Sequence, residues 1–126
     1  MQTSSFLGLR TTVYFVADLD AAKAWYANVL GLKPYFDTPY YVGFNVGGFE
    51  LGLHPAGGER RAGPGGAVPY WGVPDLDAAW TKLLAAGARA EDEPQDVGEG
   101  IRLGIVRDPF ENLLGVIQNP HFPNTA

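Results

Sequence analysis

The apolar positions of this chain change period in the same order twice. Thr12-Val13-Tyr14-Phe15-Val16 is a β-branched and aromatic run of strand type. Asp18 follows as a helix cap, and Leu19, Ala22, Tyr26, Val29 and Leu30 recur at helical spacing until Gly31. The period then falls to two, which predicts strands over Tyr40–Val46 and Phe49–His54 about a Gly47-Gly48 turn. The second half runs likewise. Val68-Pro69-Tyr70-Trp71-Gly72-Val73 reads as a strand, Asp75 as a cap, and Leu76, Ala79, Trp80 and Leu83 as an apolar helical stripe that ends at Gly87. Strands are predicted over Arg89–Glu91, Ile101–Arg107 and Leu113–Gln118, the last two joined by Asp108-Pro109-Phe110-Glu111-Asn112.

The two halves also share a phrase. Val16-Ala17-Asp18-Leu19-Asp20-Ala21-Ala22 and Val73-Pro74-Asp75-Leu76-Asp77-Ala78-Ala79 differ only at their second residue. An internal repeat of a strand, a helix and about three strands is therefore expected, an α+β fold of two tandem βαβββ modules. Residues 1–126 read as a single domain, with module one at about 8–56 and module two at about 67–120. Between them, Gly57-Gly58-Glu59-Arg60-Arg61-Ala62-Gly63-Pro64-Gly65-Gly66 reads as a linker.

Composition narrows the chemistry. With 46% hydrophobic residues the chain can fill a core, and with 13% aromatics it can also line a cavity. The chain has no cysteine, which removes disulfides, thiolate nucleophiles and thiolate metal sites. A net charge of −5, with Arg60-Arg61 the only adjacent pair of cations, argues against nucleic acid. No apolar run reaches membrane-spanning length, and Met1-Gln2-Thr3-Ser4-Ser5 lacks the features of a signal peptide, so a cytoplasmic protein without membrane partners is expected. No Ser-His-acid arrangement is visible, and Gly63-Pro64-Gly65-Gly66 lacks the strand-to-helix context of a phosphate cradle.

Two stretches carry a family resemblance. Val16 to Pro34, with Asp18-Leu19-Asp20-Ala21-Ala22, Trp25-Tyr26 and Val29-Leu30-Gly31-Leu32, resembles the opening module of the vicinal oxygen chelate superfamily: the glyoxalases, bleomycin resistance proteins and extradiol dioxygenases. Asp108-Pro109-Phe110-Glu111-Asn112-Leu113-Leu114 is similar to the closing turn of that family, with Glu111 where a Gly is usual. If that position needs positive φ, Glu111 costs about 1 kcal/mol, or the turn has changed type. The resemblance implies modules that form a curved sheet around a cavity, and two chains that pair as a homodimer. It also places metal ligands at Thr11 and Val68 on the first strands and at Gly115 on the last. Aligning Leu51-Gly52-Leu53 with Leu114-Gly115-Val116 puts Gly52 at the fourth place. None of the four is a usual ligand, so no metal and no cofactor are expected.

That register leaves Glu50 and His54 on the cavity face, to either side of Gly52. Strand alternation puts Thr11, Val13 and Phe15 on the same face, with Val68 and Tyr70 their counterparts in module two, while Tyr14, Val16 and Trp71 turn toward the helices. These residues are the pocket candidates, and Phe15, Tyr40, Tyr41, Phe44 and Tyr70 are expected to supply an apolar, stacking wall. Glu50 and His54 lie about 13 Å apart along a strand, too far to share one ion. His121, in a Pro-punctuated tail, reads as a packing or dimer contact. Two functions follow. One is a small-molecule-binding protein of the glyoxalase and bleomycin-resistance type without the usual metal ligands. The alternative is a metal-dependent lyase, isomerase or dioxygenase with displaced ligands, or an enzyme with Glu50 or His54 as general base. The catalytic residues are left unassigned.

Overall fold

A computed structural model describes residues 6–121. The described residues pack as two compact units, one of residues 11–68 and the other of residues 69–121 with 6–10. Its elements are β1 (Gly8–Val16), α1 (Leu19–Leu30), β2 (Phe36–Asp37), β3 (Val42–Val46), β4 (Phe49–Pro55), β5 (Ala67–Gly72), α2 (Leu76–Ala85), β6 (Arg89–Gly98), β7 (Ile101–Arg107) and β8 (Leu113–Gln118). Each half is thus a strand, a helix and three strands. Among the described residues no helix is long and apolar enough to cross a membrane.

In the first unit the strand order is β2-β3-β4-β1, with β1 and β4 parallel and the other pairs antiparallel. Asp18 caps α1 by accepting from the Ala21 amide at 3.0 Å. Beneath the helix, Val42, Phe44 and Leu53 are fully buried against Leu19, Ala22, Tyr26 and Leu30. Removing each such side chain from water contributes roughly 1.5–3 kcal/mol. Two sequence readings change here. Phe44 pairs with Leu51 in the layer under α1 and so belongs to the core, not to an aromatic wall on the other face. Val29 is 56% exposed, because the stripe at 19, 22, 26 and 30 already covers the buried face of the helix.

In the second unit the order is β5-β8-β7-β6. Asp75 caps α2 through the Ala78 amide at 3.1 Å, and Leu76, Ala79 and Trp80 are buried on Val73, Val106 and Val116. β6 extends to Gly98, well past the predicted three residues. It pairs only with β7, through three register shifts, so Pro94 and the acidic run Glu91-Asp92-Glu93 are tolerated on an edge that a central strand would not allow. In the turn after β7 the Asp108 carboxylate accepts from the amides of Phe110 and Asn112, and Glu111 does take a positive φ, +73°.

Candidate functional site

The face of the first unit's sheet turned away from α1 is set by three rows of paired residues. Thr11 pairs with Glu50, and Glu50 with Asn45. Val13 pairs with Gly52, Gly52 with Gly43, and Gly43 with Phe36. Phe15 pairs with His54. Direct partners share a face, so Thr11, Val13, Phe15, Glu50 and His54 stand together.

Gly43 and Gly52 leave the middle of this face without side chains. A Cβ on Gly52 would lie 1.9 Å from the Tyr41 hydroxyl, and one on Gly43 would lie 2.7 Å from Glu50 Oε2. The paired glycines thus form a floor onto which two polar groups fold. Glu50 lies over it, half-buried, and collects three hydroxyl donors. Thr11 Oγ1 donates to Oε1 at 2.9 Å, Tyr41 to the same oxygen at 2.8 Å, and Tyr35 to Oε2. Tyr35 is 59% exposed over its whole side chain, but its hydroxyl is turned inward. Burial of that hydroxyl, then the hydrogen bond and the charge of Glu50, raise it above the ordinary tyrosine value of 10.0, so it remains a donor throughout the physiological range. A carboxylate offers about four lone-pair sites, so these three donors leave room for one more.

Aromatic rings continue the face. Phe15 lies 5.4 Å from the His54 ring, His54 lies 6.5 Å from Tyr41, and Tyr41 lies 6.0 Å from Phe36. His54 Nδ1 is 2.8 Å from the Pro55 carbonyl, which can only accept, so Nδ1 carries a proton and Nε2 is the acceptor of the neutral ring.

The remaining candidates lie elsewhere. Val68 is fully buried, and Tyr70, in the second unit, folds its ring over Gly115, where a Cβ would come within 2.5 Å of it. Tyr40 is exposed in the turn before β3. His121 Nε2 meets the Glu99 carbonyl at 2.8 Å. Among the described residues no three His, Asp or Glu side chains gather in a way that could hold an ion. Sequence reasoning missed Tyr35, Gly43 and the role of Tyr41 as a donor to Glu50. A glycine inside an alternating strand is a signal of close approach, and Gly43 carries it.

Residues 8–116 match the model of the Glyoxalase/Bleomycin resistance protein/Dioxygenase superfamily. The sequence matches none of the curated proteins. Among solved structures, methylmalonyl-CoA epimerase from Mycobacterium tuberculosis superposes with a TM-score of 0.74 at 23% identity, covering 94% of this chain and 91% of that one. The Mn(II)-bound glyoxalase from Novosphingobium aromaticivorans gives 0.69 at 26% identity, over 92% of this chain and 40% of that one. A superfamily member from Vibrio splendidus 12B01 gives 0.67 at 16% identity, over 88% and 99%.

Proposed function

Because the chain belongs to the Glyoxalase/Bleomycin resistance protein/Dioxygenase superfamily, a fold that serves several chemistries, we propose its function from its own residues: it binds a small molecule, without a metal, at the Glu50 face of the first unit. One observation carries the reading. Glu50 is a half-buried carboxylate held in place by three hydroxyls above a floor of two glycines, with aromatic rings beside it. A fixed acceptor next to apolar rings is what orients a small ligand.

The positions that would hold a metal by family resemblance do not fit one. Thr11 gives its hydroxyl to Glu50, and Val68 offers only methyl groups. Gly52 and Gly115 have no side chain, and the space above them is taken by Tyr41 and Tyr70. A divalent ion needs about three protein donors in fixed geometry. The reading extends to a cytoplasmic homodimer without nucleic-acid or membrane partners, which the net charge of −5 supports for nucleic acid.

Native mass spectrometry of untagged protein purified without chelator tests this. The expected spectrum is a metal-free dimer, with any co-purified organic molecule seen as an adduct. About one divalent ion per chain would overturn the reading and put a metal-dependent enzyme in its place.

A further inference from the structure

The charge of Glu50 has hydroxyl partners and no cationic one. Lys23 pairs with Asp37, Arg89 and Arg107 with Glu111, Arg102 with Asp77, and Arg107 with Glu91, and none of these ion pairs includes Glu50. Hydroxyl donors orient a carboxylate and share its charge, but they do not neutralise it. A half-buried negative charge without a counter-ion is a cost that an incoming cation removes.

The surroundings select the kind of cation. Phe15, His54, Tyr41 and Phe36 form a continuous series of tilted rings, each within 6.5 Å of the next, on the sheet face that carries Glu50. Ring faces attract positive charge and apolar surface together, whereas a bare metal ion would find one carboxylate and too few further donors. We propose that the Glu50 face recognises an organic cation, a small ammonium or amidinium ligand with an apolar or aromatic body. The nitrogen takes the open acceptor site on Glu50, and the body lies along the ring series. This assignment rests on the reading of the Glu50 face as a ligand site and adds the charge class of the ligand.

Three probes of one size and different charge test it: benzylammonium, benzyl alcohol and benzoate. Each is titrated into the full-length protein while the backbone amide resonances of Gly43 and Gly52, directly under the carboxylate, are followed. Benzylammonium is expected to shift both resonances saturably and to bind at least about tenfold more tightly than the other two. Glu50→Gln is expected to abolish that preference, and Asp20→Asn, which removes an exposed carboxylate on α1 at the other side of the sheet, to retain it. Should Glu50→Gln fail to fold, the charge series on the unaltered protein decides alone. If benzyl alcohol or benzoate shifts the same amides as tightly as benzylammonium, the cation assignment falls and the ligand site stands. If none of the three shifts them, both fall.

Discussion

At equivalent places in their sheets, the two units hold different things. Val13, Gly52 and Gly43 form a row in the first, and Tyr70, Gly115 and Ile105 form the same row in the second. Over Gly115 lies the buried ring of Tyr70, and Ile105 is buried beside it. Over Gly52 and Gly43 lie a tyrosine hydroxyl and a carboxylate. The helices differ in the same sense. α2 buries Leu76, Ala79 and Trp80, while α1 has no fully buried side chain. Counting from the capping Asp, Lys23 of α1 stands at the place of Trp80, and Trp25 at the place of Lys82. One backbone pattern thus supports a unit given to packing and another whose sheet face carries polar groups.

The tryptophans break this comparison most sharply. Trp80 is 8% exposed and packs so closely on Gly104 that a Cβ there would meet its ring at 2.9 Å. Trp25 is 58% exposed, with Tyr26 as its ring neighbour. Trp80→Ala is expected to cost about 3–5 kcal/mol in urea unfolding, and Trp25→Ala no more than about 0.5 kcal/mol. Similar losses from both would mean that α1 is as firmly packed as α2.

The paired glycines sharpen it further. Gly115→Ala drives a methyl group into the buried ring of Tyr70, an overpacking worth about 1–3 kcal/mol. Gly52→Ala meets the hydroxyl end of Tyr41, a half-buried side chain that must shift against Phe36 and His54 and give up a hydrogen bond to Glu50, the latter about 1 kcal/mol. The first substitution should therefore lower the urea midpoint more. The second should be felt in the Gly43 amide resonance and in probe binding. A larger stability loss from Gly52→Ala would reverse the assignment of the two faces.

The sequence makes the element order legible because caps and period changes are local. Asp18 and Asp75 accept from the amides three residues on, and the stripe from Leu76 to Leu83 is the buried face of α2. Alternation from Gly52 likewise puts Glu50 and His54 with Thr11, Val13 and Phe15, because parity on one strand fixes the face of every second residue. What escapes is cross-strand and long-range. Tyr35 lies in the connection between α1 and β2, and nothing in its neighbourhood indicates that its hydroxyl reaches a residue fifteen positions later. Phe44 looks like wall from composition, but its partner Leu51 places it under the helix. β6 continues through Pro94 because it is an edge strand, a property of its pairing and not of its residues.

The smallest expected effect lies in the hairpin turns. In the first unit Gly47 and Gly48 take φ of +64° and +94°, which costs a glycine little. In the second, Glu111 takes +73°, at about 1 kcal/mol, and its carboxylate receives both hydrogen bonds from Arg89 Nη2, at 2.9 and 3.0 Å. That pair is exposed and contributes less than about 1 kcal/mol. Glu111→Gly therefore exchanges strain for weak exposed ion pairs with Arg89 and Arg107 and should raise the thermal midpoint slightly. Glu111→Ala keeps the strain and loses the pair, so it should lower the midpoint, and Gly47→Ala should lower it by introducing in the first unit the strain that the second already carries. If Glu111→Gly lowered the midpoint instead, the Arg89 contact would outweigh the backbone cost, and the turn of the second unit would count among its stabilising features.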